Sequence, residues 1–373
     1  MHDTSPGRSS VAVIGGGYAG ITAAKALDDH ADVVLVDPTE AFVHNIAAWR
    51  SLVEPEWLER IFLPYGQLLA NGRFVRDRAV GVDGPHVTLA SGSVLEPDYL
   101  VLATGSAYPF PAKVEEADIA SARARMRAAH GALLEAERVL ILGAGPAGLE
   151  LAGEIKTFHP RKRVVIADIA SDILAGPYDQ ALRDVLRRQL DELGIELRLG
   201  AELGGLPAAA PATLAPVSVK TADSGTLDAD IWFRAFGVRP HSEYLAGGSL
   251  DDRRNERGHL RVDEHLRVAG ETSVFAIGDL GDADRNMAGI ASKQAELVAN
   301  NIRSLIAGTS ELGSWETFPP LIAIPLGPEG GSGFIGDGVA DPATIAQVKG
   351  RDMLIENYAS LFDAAPAEVC LSG

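Results

Sequence analysis

A glycine fingerprint after the first apolar stretch restricts the folds that are open to this chain. Residues 11–14 are a strand-like apolar run that leads into Gly15-x-Gly17-x-x-Gly20, an alanine-rich helical segment and a second apolar strand ending on Asp37. Strand, glycine turn, helix, strand and terminal acid in this order are typical of a βαβ dinucleotide-binding unit. The pattern therefore predicts an α/β fold built on a parallel sheet.

Each residue of the fingerprint has a physical task. Gly15 permits the tight turn, Gly17 lets the backbone approach a pyrophosphate, and Gly20 lets the helix lie close to the sheet. The helix N-terminus offers unpaired N–H groups and a positive dipole end to an anion. Asp37, 22 residues after Gly15, is placed to accept hydrogen bonds from ribose hydroxyls. A purely structural glycine turn is the alternative, and the agreement of all parts of the pattern favours a dinucleotide.

The same pattern occurs a second time, 128 residues further along the chain. Gly143-x-Gly145-x-x-Gly148 follows another apolar strand and precedes a helix and a strand that ends on Asp168. Two complete copies of the signature predict two dinucleotide sites rather than one.

Asp168 also bears on the choice of coenzyme. A carboxylate at this position accepts ribose hydroxyls and repels a 2′-phosphate, and no arginine follows it within residues 169–172. The basic run 159–163 before the strand is interpreted as a solvated turn. The sequence therefore favours NADH over NADPH.

The order of the predicted elements places the second unit inside the first. An apolar strand over 99–102 precedes the second fingerprint, and a strand of the same type over 273–277 follows the second unit. We expect two Rossmann-like domains, the second inserted in the first, plus a small C-terminal α+β region. The expected domains are residues 1–118 with 258–313, residues 119–257, and residues 314–373.

Several smaller elements are also predicted. They are a helix that follows Arg50 and ends at Arg60, a strand over 72–82, a surface loop over 201–215 and a C-terminal helix from Met353. One face of the last helix carries an apolar stripe, for which core packing is the interpretation and a lipid contact the alternative. The stripe is Leu354, Tyr358, Leu361 and Phe362.

Charge and composition exclude several classes of partner. The net charge of −18 argues against nucleic acid, which requires clustered Lys and Arg, and against resident binding to an anionic membrane surface. The sequence has no apolar stretch of the roughly 18 residues that span a bilayer. Its first ten residues carry neither an apolar signal core nor the Met-Gly start of a myristoylation site. We expect a cytoplasmic protein with no stable membrane anchor; a homodimer stays open.

Cysteine usage excludes one kind of redox chemistry. The sequence contains a single cysteine, Cys370, which is interpreted as an incidental surface thiol. One thiol cannot form a redox dithiol, so the paired-cysteine mechanism of disulfide reductases is excluded. No metal site is predicted.

A second acid stands at the end of the later strand. Gly278-Asp279 places a carboxylate at the carboxyl edge of the sheet, where ligands bind in doubly wound folds. The helix that starts near Ala288 can direct its positive N-terminus at a flavin pyrimidine edge, which favours an anionic reduced flavin. Gln294 and its backbone N–H are the candidates for that contact, and a solvent-facing glutamine is the alternative.

These motifs together resemble the pyridine nucleotide-disulfide oxidoreductase superfamily of flavoproteins. The resemblance rests on both glycine fingerprints, the second extended to Glu150 and Glu154, on the Leu100–Gly105 run and on Phe275–Asp279. Residues 42–50, 103–113, 258–266 and 324–327 resemble the branch of ferroptosis suppressor and apoptosis-inducing factor homologous proteins, close to type II NADH dehydrogenases. The similarity covers nearly the whole chain.

The resemblance implies FAD in the N-terminal site and a nicotinamide dinucleotide in the central site. Val80 is expected to face the adenine by its backbone, and His44, Arg50 and Lys113 are expected near the flavin. The other residues assigned to FAD are Gly15, Gly17, Gly20, Asp37, Thr104, Gly105, Gly278, Asp279 and Gln294. The residues assigned to NAD are Gly143, Gly145, Gly148, Asp168 and Gly237.

Two residues are catalytic candidates. Glu150 points toward the junction of nicotinamide and flavin by the family pattern, where it orients the nicotinamide amide or relays a proton. A carboxylate stabilised by the helix dipole is the alternative for Glu150. Lys293 departs from the family pattern in the region next to the flavin, where an acceptor would lie.

A flavin takes a hydride from nicotinamide and releases electrons one or two at a time. Without paired cysteines or a metal cluster, the electrons must go straight to an acceptor, and a planar, apolar quinone suits this. We expect an NADH:quinone oxidoreductase. One alternative is a reductase of a small iron–sulfur carrier protein, which the acidic charge disfavours because such carriers are usually acidic. The other is a redox-sensing flavoprotein that binds NADH and turns over slowly.

Overall fold

Two parallel sheets form the framework of the protein. The computed structural model describes residues 8–222, 225–317, 321–336 and 338–362, and Cys370 lies outside them. The strands of the described residues are β1 Ser10–Ile14, β2 Asp32–Asp37, β3 Ala41–Val43, β4 Phe62–Pro64, β5 Arg73–Arg76, β6 Ala79–Asp83, β7 His86–Leu89, β8 Val94–Leu95, β9 Tyr99–Leu102, β10 Ser106–Ala107, β11 Arg138–Leu142, β12 Arg163–Asp168, β13 Ile195–Leu199, β14 Val217–Lys220, β15 Thr226–Ala229, β16 Ile231–Arg234, β17 Arg239–Pro240, β18 Val274–Ala276, β19 Ile322–Pro325, β20 Gly331–Ile335 and β21 Gly338–Ala340.

The helices surround these sheets. They are α1 Tyr18–Leu27, α2 Ala48–Val53, α3 Ile119–Glu135, α4 Pro146–Phe158, α5 Gln180–Glu192, α6 Ala288–Ile306, α7 Pro342–Ile345 and α8 Ile355–Ala359, with a π-helical turn at Ala346–Gly350. Among the residues that the structure describes, no helix combines the length and the apolar character needed to cross a bilayer.

The two sheets interleave along the chain. The first has five strands in the order β18-β9-β1-β2-β5, and the second has four in the order β13-β12-β11-β16. Because β18 follows the whole second sheet in sequence, the second nucleotide unit is inserted in the first. The predicted fold class is confirmed, whereas the exact domain boundaries stay predictions.

Both sheets are covered on both faces. In the first sheet, Val11 and Val13 pack with α1 and α6, while Ala12 and Ile14 face the small antiparallel sheet β6-β7-β8. In the second sheet, the face that carries Ile141 packs against α3, α4 and α5, and the opposite face lies under the β14–β15 hairpin. Burial on both faces explains why the strands of both fingerprints are continuous apolar runs.

The structure corrects two predicted elements near the first sheet. The single strand predicted over 72–82 is two strands, because β5 joins the parallel sheet while β6 pairs with β7. The helix predicted to end at Arg60 stops at Val53 and continues as a 3₁₀ turn, Pro55–Glu59. Pro55 accounts for the break, since the residue before a proline is driven out of the helical region and Glu54 is extended.

The C-terminal region packs against the second unit. Its three-stranded sheet, β19-β20-β21, contacts α4 and α5, and a Cβ on Gly153 of α4 would overlap the backbone of Leu326. The last helix begins at Ile355 rather than at Met353, because Met353 and Leu354 have φ of 52° and 60°.

The apolar stripe of the last helix is core packing, as predicted. Tyr358 and Phe362 are buried against Phe42 and the residues of α1 and α6, and Leu354 and Leu361 pack at the edge of the same core. The Phe42 and Phe362 rings stack with centroids 5.9 Å apart.

His44 fastens the C-terminal segment from inside this core. The side chain is fully buried, and its Nε2 donates to the Met353 carbonyl oxygen at 2.7 Å. Burial lowers the pKa of His44 from its ordinary value to about 4. The imidazole is therefore neutral at physiological pH.

A buried ion pair joins three segments that are distant in sequence. The guanidinium of Arg50 on α2 binds the carboxylate of Glu154 on α4 through two hydrogen bonds, of 2.6 and 2.8 Å. Arg50 also donates to the Gly350 carbonyl oxygen of the π turn at 2.9 Å, and its side chain is only 2% exposed. Burial raises the pKa of Glu154, against the opposing effect of Arg50.

Replacing Arg50 by methionine is expected to destabilise the protein strongly. The change leaves the Glu154 carboxylate buried without its cation, and breaking such a pair costs about 3–5 kcal/mol. Chemical denaturation gives the free energy of unfolding. The double variant Arg50→Met/Glu154→Gln should recover part of the loss, and Arg351→Met, which removes an exposed ion pair with Glu329, should change little. Equal stability of Arg50→Met and wild type would contradict the structural role.

His44 is expected to make the protein sensitive to mild acid. The unfolded chain binds a proton on this histidine near pH 6.5 and the folded protein only near pH 4, so stability falls as the pH drops from 6.5 to 4. Between pH 7.5 and pH 5, His44→Gln should lose about 2 kcal/mol less unfolding free energy than wild type. The exposed control His30→Gln should keep the wild-type difference. A wild-type loss in His44→Gln would rule out this histidine as the cause.

Candidate active site

The two glycine loops have the same backbone geometry. Gly15 and Gly143 have φ of +102° and +116°, and their N–H groups donate to Val36 O and Ala167 O, both at 2.8 Å. A Cβ on Gly143 would lie 2.7 Å from the Ala235 carbonyl oxygen, and a Cβ on Gly15 would overlap the corresponding carbonyl in the first sheet. Both positions therefore require glycine.

The remaining glycines of the two fingerprints are of two kinds. At some of them an added Cβ would overlap the backbone, and at others it would meet no neighbouring atom. A Cβ on Gly20 would overlap the Gly15 carbonyl oxygen, and one on Gly148 would overlap that of Gly143. Gly17 is the N-cap of α1, and a Cβ there would meet no atom within 4 Å. Gly145 caps α4 and is equally open. Each helix start is thus free for a ligand to approach closely.

A strand-end carboxylate braces each loop. Asp37 accepts the Gly16 N–H at 2.7 Å on one oxygen and the Thr39 N–H at 2.8 Å on the other. Asp168 accepts the Ala144 N–H at 2.6 Å and the Ala170 N–H at 2.8 Å in the same way. A carboxylate has about four acceptor positions, so both acids retain capacity for ribose hydroxyls.

A large cavity opens at the carboxyl edge of the first sheet. Its volume is about 650 Å³, within the usual range for ligand sites. The first glycine loop forms one end, and Ala147 and Glu150 of α4 belong to its wall. Six aromatic side chains contribute to the lining: Tyr18, Phe42, Trp49, Tyr65, Tyr108 and Tyr244.

Lys113 and Asp279 meet inside this cavity. Lys113 Nζ lies 3.3 Å from Asp279 Oδ2 and donates to the Ser106 carbonyl oxygen at 2.6 Å. The Ser106 hydroxyl donates to the same oxygen of Asp279 at 2.5 Å. Thr104, Gly105 and Gly278 complete this part of the wall, so the structure brings these five predicted residues and Ser106 together.

Glu150 forms an ion pair that the sequence did not predict. Its Oε1 lies 2.7 Å from Nζ of Lys349, and both side chains line the cavity and are largely buried. Lys349 belongs to the π turn of the C-terminal region, a type of turn that recurs at functional sites. Tyr108 stands nearby, and its pKa is raised to about 12, chiefly by burial and also by Glu150, against the opposing effect of Arg234.

Five of the side chains expected near the flavin do not line the described cavity. His44 and Arg50 are occupied in the core by the contacts described above. Val80 is half exposed on β6 and the neighbouring Ala79 lines the cavity, because successive side chains of a strand alternate; the backbone contact of Val80 with the adenine stays a prediction. Lys293 is on the exposed face of α6. Gln294 is 3% exposed, so it is not solvent-facing either, and its Oε1 accepts the Gly278 N–H at 2.7 Å.

The position of Gln294 in α6 argues against the expected contact of its backbone N–H with a ligand. Only the first four N–H groups of a helix lack an intrahelical partner, and Gln294 is the seventh residue of α6. Ala288, the first residue of the helix, lines the cavity together with Ala291. The helix start therefore faces the cavity, and Gln294 braces the Gly278-Asp279 turn from behind.

The second glycine loop and Asp168 lie at the carboxyl edge of the second sheet, outside the described cavity. Gly237, with φ +95°, follows β16 at the same edge. The two nucleotide units thus direct their ligand edges toward the region around Glu150.

Comparisons with known proteins agree with this architecture. The family model described as pyridine nucleotide-disulphide oxidoreductase matches residues 9–303. Ferroptosis suppressor protein 1 of Homo sapiens is 31% identical over 308 residues, which cover 79% of this chain and 80% of that protein. The solved structure of NDH2 from Plasmodium falciparum in complex with NADH has a TM-score of 0.76 at 13% identity and covers 96% of this chain and 95% of its own.

A further solved structure, the sulfide:quinone oxidoreductase of Aquifex aeolicus, has a TM-score of 0.74 at 17% identity, with 94% of this chain and 91% of that chain covered. The family match spans most of the chain and includes both glycine loops, and the human relative exceeds 30% identity. The chain therefore belongs to the pyridine nucleotide-disulphide oxidoreductase family.

Proposed function

We propose that the protein binds FAD in the large cavity and passes electrons from NADH to a quinone-like acceptor. One observation carries this proposal: the cavity that starts at the first glycine loop ends against α4, the helix that begins at the second glycine loop. Two dinucleotides bound at these loops would meet near Glu150. Such a junction is what electron transfer between a nicotinamide and a flavin requires.

The cavity suits FAD in size and in chemistry. The open N-cap at Gly17 leaves room for a pyrophosphate at the start of α1, and Asp37 retains acceptor capacity for the adenosine ribose. Asp279 is available to the ribityl hydroxyls, and Lys113 supplies a positive charge beside it. Aromatic walls suit a planar ring system. Residues 1–118 with 258–313 would then be the FAD domain, and 119–257 the NADH domain.

Bound FAD would supply the acceptance of a hydride and the release of electrons singly or in pairs. The protein's part is to hold the partners. Glu150 and Lys349 form an ion pair at the proposed meeting point, where Glu150 can orient the nicotinamide amide and Lys349 holds the carboxylate in place. Half-buried Tyr108 would help to exclude water from the same side.

Three considerations support a quinone-like acceptor and NADH as donor. The single cysteine of the sequence provides no dithiol for the disulfide chemistry that gives the family its name. The resemblance to the ferroptosis suppressor branch and to type II NADH dehydrogenases implies quinone reduction. Asp168 supports NADH, since its carboxylate at the loop repels a 2′-phosphate. We propose a cytoplasmic location on charge alone.

Anaerobic stopped-flow mixing tests the electron path. NADH should bleach the visible flavin absorbance of the purified holoenzyme within one turnover, and a soluble quinone such as menadione should restore it faster than air does. A rubredoxin or ferredoxin serves as the comparison acceptor. If no quinone restores the absorbance faster than oxygen, the quinone assignment is wrong, and persistent long-wavelength absorbance after NADH would instead favour a redox sensor.

Matched asparagine substitutions test which loop serves which dinucleotide. Asp168→Asn keeps a brace for the Ala144 N–H but removes the negative charge, so kcat/KM for NADPH should rise relative to that for NADH, by about tenfold. Asp37→Asn makes the same change at the first loop and should weaken FAD retention without altering the NADH/NADPH ratio. Steady-state kinetics and FAD release measure the two effects. Equal kcat/KM for both coenzymes in wild type would contradict the assignment of Asp168.

A further inference from the structure

Arg234 ends β16 at the carboxyl edge of the second sheet with part of its guanidinium unpaired. Its Nε–H is buried and donates to no acceptor among the residues that the structure describes. The guanidinium carbon lies 4.7 Å from the centre of the Phe236 ring. A buried N–H without an acceptor is costly, and arginine carries five donors in a fixed fork. Its location at the carboxyl edge of the sheet, where ligands bind in doubly wound folds, makes a bound ligand the candidate acceptor.

The turn after β16 is shaped around this guanidinium. Gly237 has φ +95°, and a Cβ there would lie 2.5 Å from Nη2 and 3.2 Å from Cζ of Arg234. Any side chain at Gly237 would therefore displace the arginine. The backbone thus leaves space for a charged group that makes no ion pair within the described part of the protein.

The sheet register places Arg234 beside the second glycine loop. Arg234 pairs with Leu142, the residue before Gly143, and Asp168 ends the strand on the far side of β11. Two strand spacings, about 10 Å, separate the acid from the arginine, with the loop between them. Arg234 also lowers the pKa of Tyr108, a residue of the cavity wall, so its charge is within electrostatic reach of the junction.

We propose that Arg234 binds the pyrophosphate of the nicotinamide dinucleotide at the second site. A dinucleotide whose adenosine ribose is held at Asp168 must cross the glycine loop before it reaches Glu150, and this path brings its phosphates to the guanidinium. The fork of arginine matches phosphate oxygens in a bidentate manner. The inference rests on the proposed function, which supplies the dinucleotide.

The local charges explain why a cation is needed there. The loop and the first turn of α4, residues 143–150, contain no Lys or Arg, and the chain as a whole carries a net charge of −18. The N-terminus of α4 offers only partial positive charge to two phosphates. Arg234 supplies a full charge next to that helix start.

Binding measurements on the FAD-loaded protein test the assignment. Calorimetric titrations with NAD⁺, ADP-ribose and adenosine, each at low and high KCl, should show Arg234→Gln weakening NAD⁺ and ADP-ribose about tenfold and flattening their salt dependence. Adenosine, which lacks phosphates, should bind both proteins equally. Arg234→Lys should recover part of the affinity. Arg163→Gln removes the same charge at the opposite edge of the same sheet and should match wild type.

The outcomes separate this inference from the proposed function. If NADH still bleaches the flavin while Arg234→Gln binds ADP-ribose with wild-type affinity and salt dependence, the phosphate role is wrong and the function stands. If adenosine weakens as much as ADP-ribose, Arg234 only shapes the sheet edge and the inference falls. If wild type binds neither NAD⁺ nor ADP-ribose, the proposed function fails first.

Discussion

The buried pair of Arg50 and Glu154 sets the geometry on which the rest of the site depends. Each of its three components is next to a residue of the cavity wall: Trp49 adjoins Arg50, Glu150 lies one helical turn before Glu154, and Lys349 precedes Gly350. A charge pair that is almost inaccessible to water is an expensive way to stabilise a fold, since apolar side chains of equal volume often do as well. Its directional hydrogen bonds, however, fix the positions of three segments relative to one another. Apolar contacts would do this less specifically.

The two glycine loops are held by the same arrangement of hydrogen bonds, with one small difference. In both, a strand-end carboxylate accepts an N–H of the glycine loop, and a second N–H two residues beyond the acid binds the other oxygen. At the first acid the residue two positions on is Thr39, whose hydroxyl adds a third hydrogen bond of 2.6 Å, whereas Ala170 in the second unit adds none. Asp37 therefore has one more hydrogen bond than Asp168, which suits the proposed binding of a retained FAD at the first loop and an exchanging NADH at the second.

The sequence predicted most of the framework and only part of the site, for a physical reason. Glycine turns and strand-end acids are local: Gly15, Gly143, Asp37 and Asp168 satisfy constraints set within a few tens of residues. Gly278 and Asp279 were also found, because a strand end signals a ligand edge. The positions of Arg50 and His44 depend on partners 104 and 309 residues away, and no periodicity encodes such contacts.

Gln294 and Lys349 illustrate the same limit. The helical pattern correctly located α6, but only the packed structure shows that Gln294 supports Gly278 from behind. Lys349 stands in a π turn, whose residue spacing differs from that of an α-helix, so no helical template would have directed it to Glu150. The sequence likewise did not predict that the aromatic residues of the cavity lie together, since they come from separate segments.

The interleaving of the sheets has a consequence for the order in which the molecule is made. During synthesis, the last strand of the second sheet is complete at Arg234. The first sheet begins with β1 but receives its edge strand β18 only 40 residues after Arg234. The inserted unit can therefore fold while the first sheet still lacks an edge strand, and α6 cannot cover that sheet until later still. Lys349 is synthesised after both β18 and α6. The cavity wall is thus incomplete until Lys349 has been synthesised, and the nascent protein has no complete ligand pocket until its C-terminal region has docked.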